Sequence, residues 1–218
     1  MSLIALDLDG TLVDQAAAAK KWAIEFGTQW ELTHRQISCL ARALTTRRPK
    51  SEVFSEFAED WTIPLAGDDV WALYRSRMPE LVHCTEADKE ALRCLRDAGW
   101  HLGIVTNGMA NNQEGKIRHT GLDELVDGWV ISAEVGCRKP DVRIFEILAE
   151  RLGCRLDGWM IGDSLEHDVA GGHAAGLRTA WITGEEPPRH AGGWTVTARS
   201  VSAAAQLILS RQERAAAP

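Results

Sequence analysis

The 218-residue chain lacks an excess of basic residues and any long apolar run. Its 24 lysines and arginines are outnumbered by 31 aspartates and glutamates, so the net charge is -7. This balance argues against a general nucleic-acid or anionic-membrane surface, because such surfaces need clustered basic residues. No apolar run approaches the roughly 20 residues that a membrane helix needs. We therefore expect neither a nucleic acid nor a membrane as partner.

The chain also lacks a C-x-x-C pair, and its five cysteines are scattered through apolar or helical stretches. An odd number of scattered cysteines is typical of free thiols in a reducing compartment. The first residues contain no basic region followed by a long apolar segment, so no secretory signal peptide is predicted. We expect a cytoplasmic protein that acts as a monomer or homodimer. A hydrophobic share of 45% is enough for a globular core.

The opening segment LIALDLDGTLVD, residues 3–14, is an apolar strand pattern that two aspartates interrupt. Asp7 and Asp9 are two residues apart, so on a strand their carboxylates would point the same way and repel each other. An unpaired buried carboxylate is costly, or it takes up a proton instead. The segment therefore predicts a positive partner that offsets these charges.

Strand and helix patterns alternate from residue 84 onward, where strands such as LGIV and WMI are separated by helical stretches. This alternation predicts an α/β fold with a Rossmann-like, doubly wound parallel sheet. Residues 15–83 break the alternation, because their patterns suit helices and none suits a strand. We predict a core from residues 1–14 and 84–210, an inserted α-helical cap from 15–83, and a frayed tail from 211–218. Since ligands of open α/β sheets bind outside the carboxyl ends of the strands, this cap would act as a lid.

Polar residues that are suited to chemistry follow four of the predicted strands. They are Asp7, Asp9, Thr106, Asn107, Gly108, Lys139, Asp163 and Asp168. The carboxyl ends of parallel strands meet at one edge of a sheet, so we expect these residues to lie together. Several carboxylates in oxygen-rich surroundings suit Mg²⁺, and a lysine can neutralise further negative charge. The set predicts a site for a phosphoryl group and a magnesium ion.

The segments DLDGTLVD, VTNG, RKPD and GDSLEHD resemble, in this order, the four motifs of the haloacid dehalogenase-like (HAD) superfamily. The segment SAEVGCRKPDVRIFEILAERLG is similar to the third-motif region of members with a helical cap. The resemblance covers nearly the whole chain. It implies a Rossmann-like core, a C1-type cap after the first motif, and Mg²⁺-dependent phosphoryl transfer through an aspartyl-phosphate.

The resemblance also implies roles for the acidic residues. Asp7 would be the nucleophile, and its carboxylate would bind the metal together with that of Asp163. Asp9 would be the general acid for the leaving group and then the base for water, while its backbone carbonyl would bind the metal. Asp168 would orient Lys139 or reach the metal through water.

The remaining motif residues would bind the phosphoryl group. The Thr106 hydroxyl and the Asn107 and Gly108 amides would hold its oxygens, together with Asp9 and Lys139. Lys139 would offset the charge that builds up on the transferring group.

Asp9 decides between reaction types, because the resembling dehalogenases and phosphonate hydrolases lack an aspartate at this position. We therefore expect a phosphomonoester hydrolase that acts on a small phosphorylated metabolite. Two alternatives stay open, namely a phosphosugar mutase of the same superfamily and a non-catalytic binding or regulatory protein of the same fold.

Specificity is expected to come from the cap. The segment TTRRPK contains Arg47, Arg48 and Lys50, which could contact the substrate or form a solvated charged loop. The cap also contains tryptophans that could form its core or a stacking platform, namely Trp22, Trp30, Trp61 and Trp71. The sequence alone does not identify the substrate.

Overall fold

The computed structural model describes residues 2–46, 48–61, 63–185 and 193–216. The chain divides into two compact units. The α/β unit comprises the chain up to Val13 and from Cys84 onward, and the helical unit comprises Asp14–His83. Each unit has buried apolar side chains of its own, such as Leu3 in the α/β unit and Phe54 in the helical unit.

Four helices form the helical unit in the part of it that the structure describes. They are α1 (Gln15–Gln29), α2 (His34–Leu44), α3 (Lys50–Asp60) and α4 (Gly67–Leu81). Helix α2 begins at Thr33, whose hydroxyl accepts a hydrogen bond from the Gln36 amide while the Gln36 side chain accepts one from the Thr33 amide. This capping box satisfies donors that a helix start leaves without partners.

Aromatic side chains hold the helices of this unit together. The Trp22 ring meets Phe54 at 5.4 Å and Tyr74 at 5.1 Å between centroids, both edge to face. These rings come from α1, α3 and α4, and all three are buried. Edge-to-face pairs add to the energy of burial, so Trp22 serves as a core residue of this unit. Trp30, Trp61 and Trp71 are half-buried.

A single parallel sheet is at the centre of the α/β unit in its described residues. Its strands are β1 (Leu3–Leu6), β2 (His101–Thr106), β3 (Gly128–Ile131), β4 (Gly158–Gly162), β5 (Arg178–Ile182) and β6 (Val196–Ala198). Their order is β3-β2-β1-β4-β5-β6, and every neighbouring pair is parallel. The predicted α/β class with a Rossmann-like parallel sheet is confirmed.

Helices cover both faces of this sheet. They are α5 (Glu86–Asp97), α6 (Ala110–His119), α7 (Ser132–Val135), α8 (Val142–Leu152), α9 (Ala170–Ala174) and α10 (Val201–Ala216). Leu3 and Ala5 belong to one core cluster with Phe145 of α8. Ile4 and Leu6 point to the other face and are also completely buried. Burial on both sides explains why β1 is a continuous apolar run.

The order of the strands reverses at β1, which pairs with β2 on one side and with β4 on the other. Leu6 lies level with Ile104 and Ile161, so the three strands end near one another. A reversal of this kind opens a crevice outside the carboxyl ends of the strands, where α/β proteins bind their ligands. Asp7 is the first residue beyond the end of β1.

Residues 211–218 were predicted to be a frayed tail, but helix α10 continues to Ala216. Residues 211–216 are therefore helical, and 217–218 lie outside the described residues. Alanine, arginine, glutamine and glutamate are all good helix formers, so a polar composition did not exclude a helix here. Within the described residues, no helix combines the length and apolar character that a membrane crossing requires.

Candidate active site

The loop after β1 places Asp7 and Asp9 at the edge of the sheet. The amides of Thr11, Leu12 and Val13 all donate to the Leu8 carbonyl, at 3.0 to 3.3 Å, which closes the loop into a tight turn. Gly10 makes this turn possible, because its φ of 89° disfavours residues with a side chain.

Gly10 also lets Asp163 approach the loop. A Cβ at Gly10 would lie 2.9 Å from Asp163 Oδ2, which is closer than atoms in contact tolerate. Asp163 follows β4, and its backbone carbonyl accepts a hydrogen bond of 2.9 Å from the indole Nε1 of Trp181 in β5. The ends of β1 and β4 therefore place two aspartates side by side.

Lys139 lies between two buried carboxylates. Its Nζ donates to Asp7 Oδ1 at 2.5 Å and to Asp168 Oδ1 at 2.7 Å. All three side chains are almost completely buried. The backbone of Lys139 is held by Asn107, whose side chain donates to the Lys139 carbonyl and accepts from the Lys139 amide. Residues from four separate parts of the chain thus fix one ammonium group beside Asp7.

Burial and negative neighbours raise the pKa of Asp7 to about 8. Burial is the largest cause, and Asp168 and Asp163 raise the pKa further. Lys139 opposes this shift but does not cancel it. Burial would lower the pKa of Lys139, yet Asp7 and Asp168 outweigh it and raise that pKa above its ordinary value. The group needs more positive charge than one lysine supplies.

A divalent cation fits this cluster. Ligand atoms of Asp7, Asp163 and Asp168 all lie within 4.8 Å of one another. Three carboxylates and the Lys139 ammonium leave a formal charge of two negative units, which one divalent ion would neutralise. Carboxylate oxygens are hard ligands of the kind that Mg²⁺ prefers.

The two carboxylates that were predicted to bind the metal lie in this cluster, and a third lies with them. Asp7 and Asp163 were expected, whereas Asp168 joins the cluster and also accepts from Lys139. The Asp9 carboxylate points elsewhere. Its two oxygens each accept from Lys116 Nζ at 2.8 Å, and Oδ2 accepts from Gln113 Nε2 at 3.0 Å. A role of Asp9 toward the metal could therefore involve its backbone carbonyl but not this carboxylate.

The phosphate-binding residues that were predicted lie at the ends of β2 and β3. The buried Thr106 hydroxyl accepts from Gln113 Nε2 at 2.7 Å. The Gly108 amide donates to Ser132 Oγ at 3.0 Å. The Gly108 amide thus donates to a side chain that follows β3, and its predicted role toward phosphate stays a prediction.

A model of the haloacid dehalogenase-like hydrolase family matches residues 1–176, which contain all four motif segments at these strand ends. The chain belongs to this family. Solved HAD structures share the fold, including a HAD family hydrolase from Deinococcus radiodurans with a TM-score of 0.70. That alignment has 24% identity and covers 98% of this chain and 96% of the other.

Curated relatives of this HAD chain include a nucleotidase and several phosphatases by name. The chain is 41% identical over 101 residues to the pyrimidine 5′-nucleotidase YjjG of Escherichia coli, covering 44% of this chain and 45% of YjjG. It is 27% identical to a glyceraldehyde 3-phosphate phosphatase of Pyrococcus abyssi, over 84% of this chain and 81% of that protein. It spans 46% of a ribulose-1,5-bisphosphate 5-phosphatase of Halopiger xanaduensis. The chain thus spans about half the length of the first and last of these relatives.

Two polar residues of the site were missed by the sequence reasoning. Gln113 and Lys116 are on the polar helix α6, and both side chains are buried. Their spacing of three residues places them on the same side of the helix. Helix α6 begins directly after Thr106–Gly108, so this spacing next to a motif was the signal that could have identified them.

The cationic cluster of the helical unit is only partly described. Arg47 lies outside the described residues. Arg48 forms an ion pair with Glu56, and Lys50 Nζ donates to the Thr46 carbonyl at 2.6 Å. Both described cations therefore have partners within the helical unit.

Proposed function

We propose that the protein is a Mg²⁺-dependent phosphomonoester hydrolase that works through an aspartyl-phosphate on Asp7. One observation carries this proposal. A buried carboxylate at the end of the central strand touches Lys139 and lies in a cluster with an unmatched charge of two negative units. Such a cluster is suited to a metal ion and a phosphoryl group together.

Asp7 and Asp163, with the backbone carbonyl of Asp9, would hold the metal. When bound there, Mg²⁺ would neutralise negative charge on the phosphoryl oxygens and would keep Asp7 ionised. Asp168 would act through Lys139, since its carboxylate accepts a hydrogen bond from that ammonium group. The structure of YfnB from Bacillus subtilis was solved bound to magnesium, at 22% identity and a TM-score of 0.75.

The chain's own residues would bind and transfer the phosphoryl group in two steps. The Thr106 hydroxyl, the Asn107 amide and Lys139 would hold the phosphoryl oxygens. An Asp7 oxygen would attack phosphorus, and the bond to the leaving oxygen would break as Asp9 gives that oxygen a proton. Asp9 would then take a proton from water, which attacks phosphorus and releases inorganic phosphate from Asp7.

The substrate that we propose is a small phosphorylated metabolite. The names of YjjG and of the relatives from Pyrococcus abyssi and Halopiger xanaduensis refer to nucleotides, a triose phosphate and a sugar bisphosphate. These compounds share a phosphomonoester on a small polar body. We also propose that the protein is cytoplasmic and is a monomer or homodimer. The five cysteines are all free thiols, which is in keeping with a reducing compartment.

A phosphatase panel tests the proposed function. Purified protein is assayed with nucleotides, sugar phosphates and an aryl phosphate, with Mg²⁺ or with a chelator. We expect release of inorganic phosphate from at least one ester, loss of release with chelator, and recovery when Mg²⁺ is added back. Ca²⁺ is expected to inhibit, because it takes more ligands at longer distances and would change the geometry around Asp7. Turnover that persists in chelator, or equal rates with both metals, would contradict the proposal.

A further inference from the structure

Helix α6 brings two buried polar side chains to the Asp9 carboxylate. Lys116 Nζ lies 2.8 Å from both Asp9 oxygens, and Gln113 Nε2 lies 3.0 Å from Oδ2. The Lys116 side chain is 2% exposed, whereas that of Asp9 is 28% exposed. The buried Lys116 and Gln113 thus hold the carboxylate and leave part of it exposed.

Burying a lysine ammonium group costs free energy, because the charge loses its hydration. Replacing a buried ion pair by apolar residues of similar size is often neutral or stabilising, so packing alone does not call for a lysine here. Lys116 contacts both oxygens of one carboxylate, and Gln113 adds a third contact to the same group. These three contacts fix the direction in which the carboxylate points.

Gln113 also joins Asp9 to Thr106. The same Nε2 group donates to Asp9 Oδ2 and, at 2.7 Å, to the Thr106 hydroxyl. A carboxylate accepts hydrogen bonds, so the donor end of the Gln113 amide must face it. The Thr106 oxygen therefore acts as an acceptor toward Gln113, and its own proton is left to be donated elsewhere.

Gly108 makes room for this arrangement. A Cβ at Gly108 would lie 2.8 Å from Gln113 Cγ, closer than packed carbon atoms tolerate. The turn after β2 can therefore pack against Gln113, which contacts Thr106 at the end of that strand. Two of the predicted motif segments meet through one side chain of α6.

We propose that Lys116 and Gln113 are positioning residues for phosphoryl transfer. Lys116 holds the Asp9 side chain in line with the leaving oxygen and stabilises the carboxylate that remains once Asp9 has given up its proton. Asp9 regains that proton from the water that attacks phosphorus. Gln113 directs the Thr106 proton toward a phosphoryl oxygen. This inference rests on the proposed function, in which Asp9 is the acid for the leaving group. It adds residues that the four motif segments do not contain.

Substrates with different leaving groups distinguish a loss of Asp9 positioning from a general loss of activity. An alkyl phosphate has a poor leaving oxygen that needs a proton, whereas an aryl phosphate with a good leaving group needs the acid much less. The ratio kcat/KM reports on the steps up to departure of the leaving group, before water is involved. Loss of Asp9 positioning should therefore lower kcat/KM for the alkyl ester selectively.

The central experiment measures kcat/KM for one alkyl and one aryl phosphate in Lys116→Met, Lys116→Arg and Asp9→Asn. We expect Lys116→Met to lower the alkyl value roughly ten- to hundredfold, which is part of the effect of a general acid, and the aryl value by less than about threefold. Lys116→Arg keeps the charge and should recover part of the loss. In an Asp9→Asn background, Lys116→Met should add less than about a twofold further loss, because its effect passes through Asp9.

Arg118→Met is the matched control. Arg118 is on the same helix, but its side chain is exposed and pairs with Glu114 on the surface. This variant should leave both kcat/KM values unchanged. Circular dichroism verifies that each variant is folded. If Lys116→Met does not fold, Lys116→Gln takes its place, because it removes the charge but keeps a polar side chain, and it should show the same selective loss for the alkyl ester.

Three results would overturn the inference. Equal losses on both esters would mean that Lys116 has a structural role alone. A full additional loss in the Asp9→Asn background would mean that Lys116 does not act through Asp9. A wild-type protein that hydrolyses no phosphomonoester with Mg²⁺ would remove the proposed function itself, whereas the first two results leave that function intact.

Discussion

Lys139 and Lys116 are buried lysines of the α/β unit, and they differ in the number of carboxylates that surround each ammonium group. Lys139 bridges Asp7 and Asp168 and has Asp163 nearby, so one ammonium group faces three carboxylates. Lys116 contacts both oxygens of one carboxylate, that of Asp9. The first group has more negative than positive charge, and the second is balanced.

Under the proposed function, this difference in charge balance would suit the two groups to different tasks within one site. Burial, and after it the neighbouring carboxylates, raises the pKa of Asp7 to about 8, so Asp7 is suited to work beside a bound cation. The balanced pair gives Asp9 a fixed direction without a metal. A site that transfers a phosphoryl group needs both a metal-dependent nucleophile and an acid that is oriented independently of it.

Asp7→Asn is expected to give the largest effect, because it removes the proposed nucleophile from the unbalanced group. Turnover should fall roughly a thousandfold or more, as is typical when a covalent nucleophile is removed. The variant should stay folded, since asparagine keeps the shape and relieves carboxylate repulsion. Steady-state assays with the preferred ester check the rate, and mass spectrometry of quenched enzyme checks for a phosphorylated Asp7 in the wild type. Wild-type turnover in Asp7→Asn would rule out the covalent route.

Removing each lysine in turn compares the two groups directly. Lys139→Met leaves buried carboxylates without their cation, and we expect a loss of about 3–5 kcal/mol in the free energy of unfolding. Lys116→Met should cost roughly half as much, because the Asp9 side chain is 28% exposed and water can replace the lysine. Urea unfolding in chelator measures both values, with the exposed Lys20→Met as control. Equal losses would mean that the two groups do not differ in their need for charge.

The raised pKa of Asp7 predicts a pH dependence of stability without metal. Between the ordinary value of 3.8 and the folded value of about 8, the native state keeps a proton that the unfolded state loses. Stability should therefore fall as the pH rises through this window, by at most about 1.4 kcal/mol per pH unit. Mg²⁺ favours the ionised form, so its stabilising effect should grow with pH.

Thermal melting across this window, with Mg²⁺ or with chelator, measures this slope. Asp7→Asn is the matched variant, because it removes the titrating group and should flatten the slope in chelator. A slope that is the same in wild type and Asp7→Asn would assign it to other residues.

All residues of the unbalanced group were predicted from the sequence, whereas the helix residues that contact Asp9 were not. Asp7, Lys139, Asp163 and Asp168 each follow an apolar strand, and parallel strands bring such residues to one edge. Gln113 and Lys116 are on a helix, where burial of a polar side depends on how the helix packs. The spacing of a polar helix does not reveal that packing by itself.

Two further features required three-dimensional contacts. The Gly108 amide is taken by Ser132, which follows β3 and is 24 residues away along the chain. Strand β6 has three residues, Val196–Ala198, and a run of this length is too short for an alternating pattern. The longer apolar strands were enough to predict the fold class, whereas β6 is recognised only by its pairing with β5.

The smallest expected effect concerns Arg48, which contrasts with both buried lysines because its side chain is 46% exposed. Its guanidinium pairs with Glu56 within the helical unit, and exposed ion pairs of this kind contribute about 0–1 kcal/mol. The sequence-based hypothesis that Arg48 contacts the substrate predicts a rise in KM of about tenfold for Arg48→Ala, since a charged hydrogen bond is worth about 1.5–3 kcal/mol. Because the pair with Glu56 already occupies this side chain, we expect a rise below about twofold, on the order of 0.4 kcal/mol. Measuring KM for the preferred ester and for an aryl phosphate in Arg48→Ala and in Glu56→Gln decides between these outcomes. A tenfold rise that is confined to the preferred ester would restore Arg48 as a specificity residue, and the prediction for Arg47 would be strengthened with it.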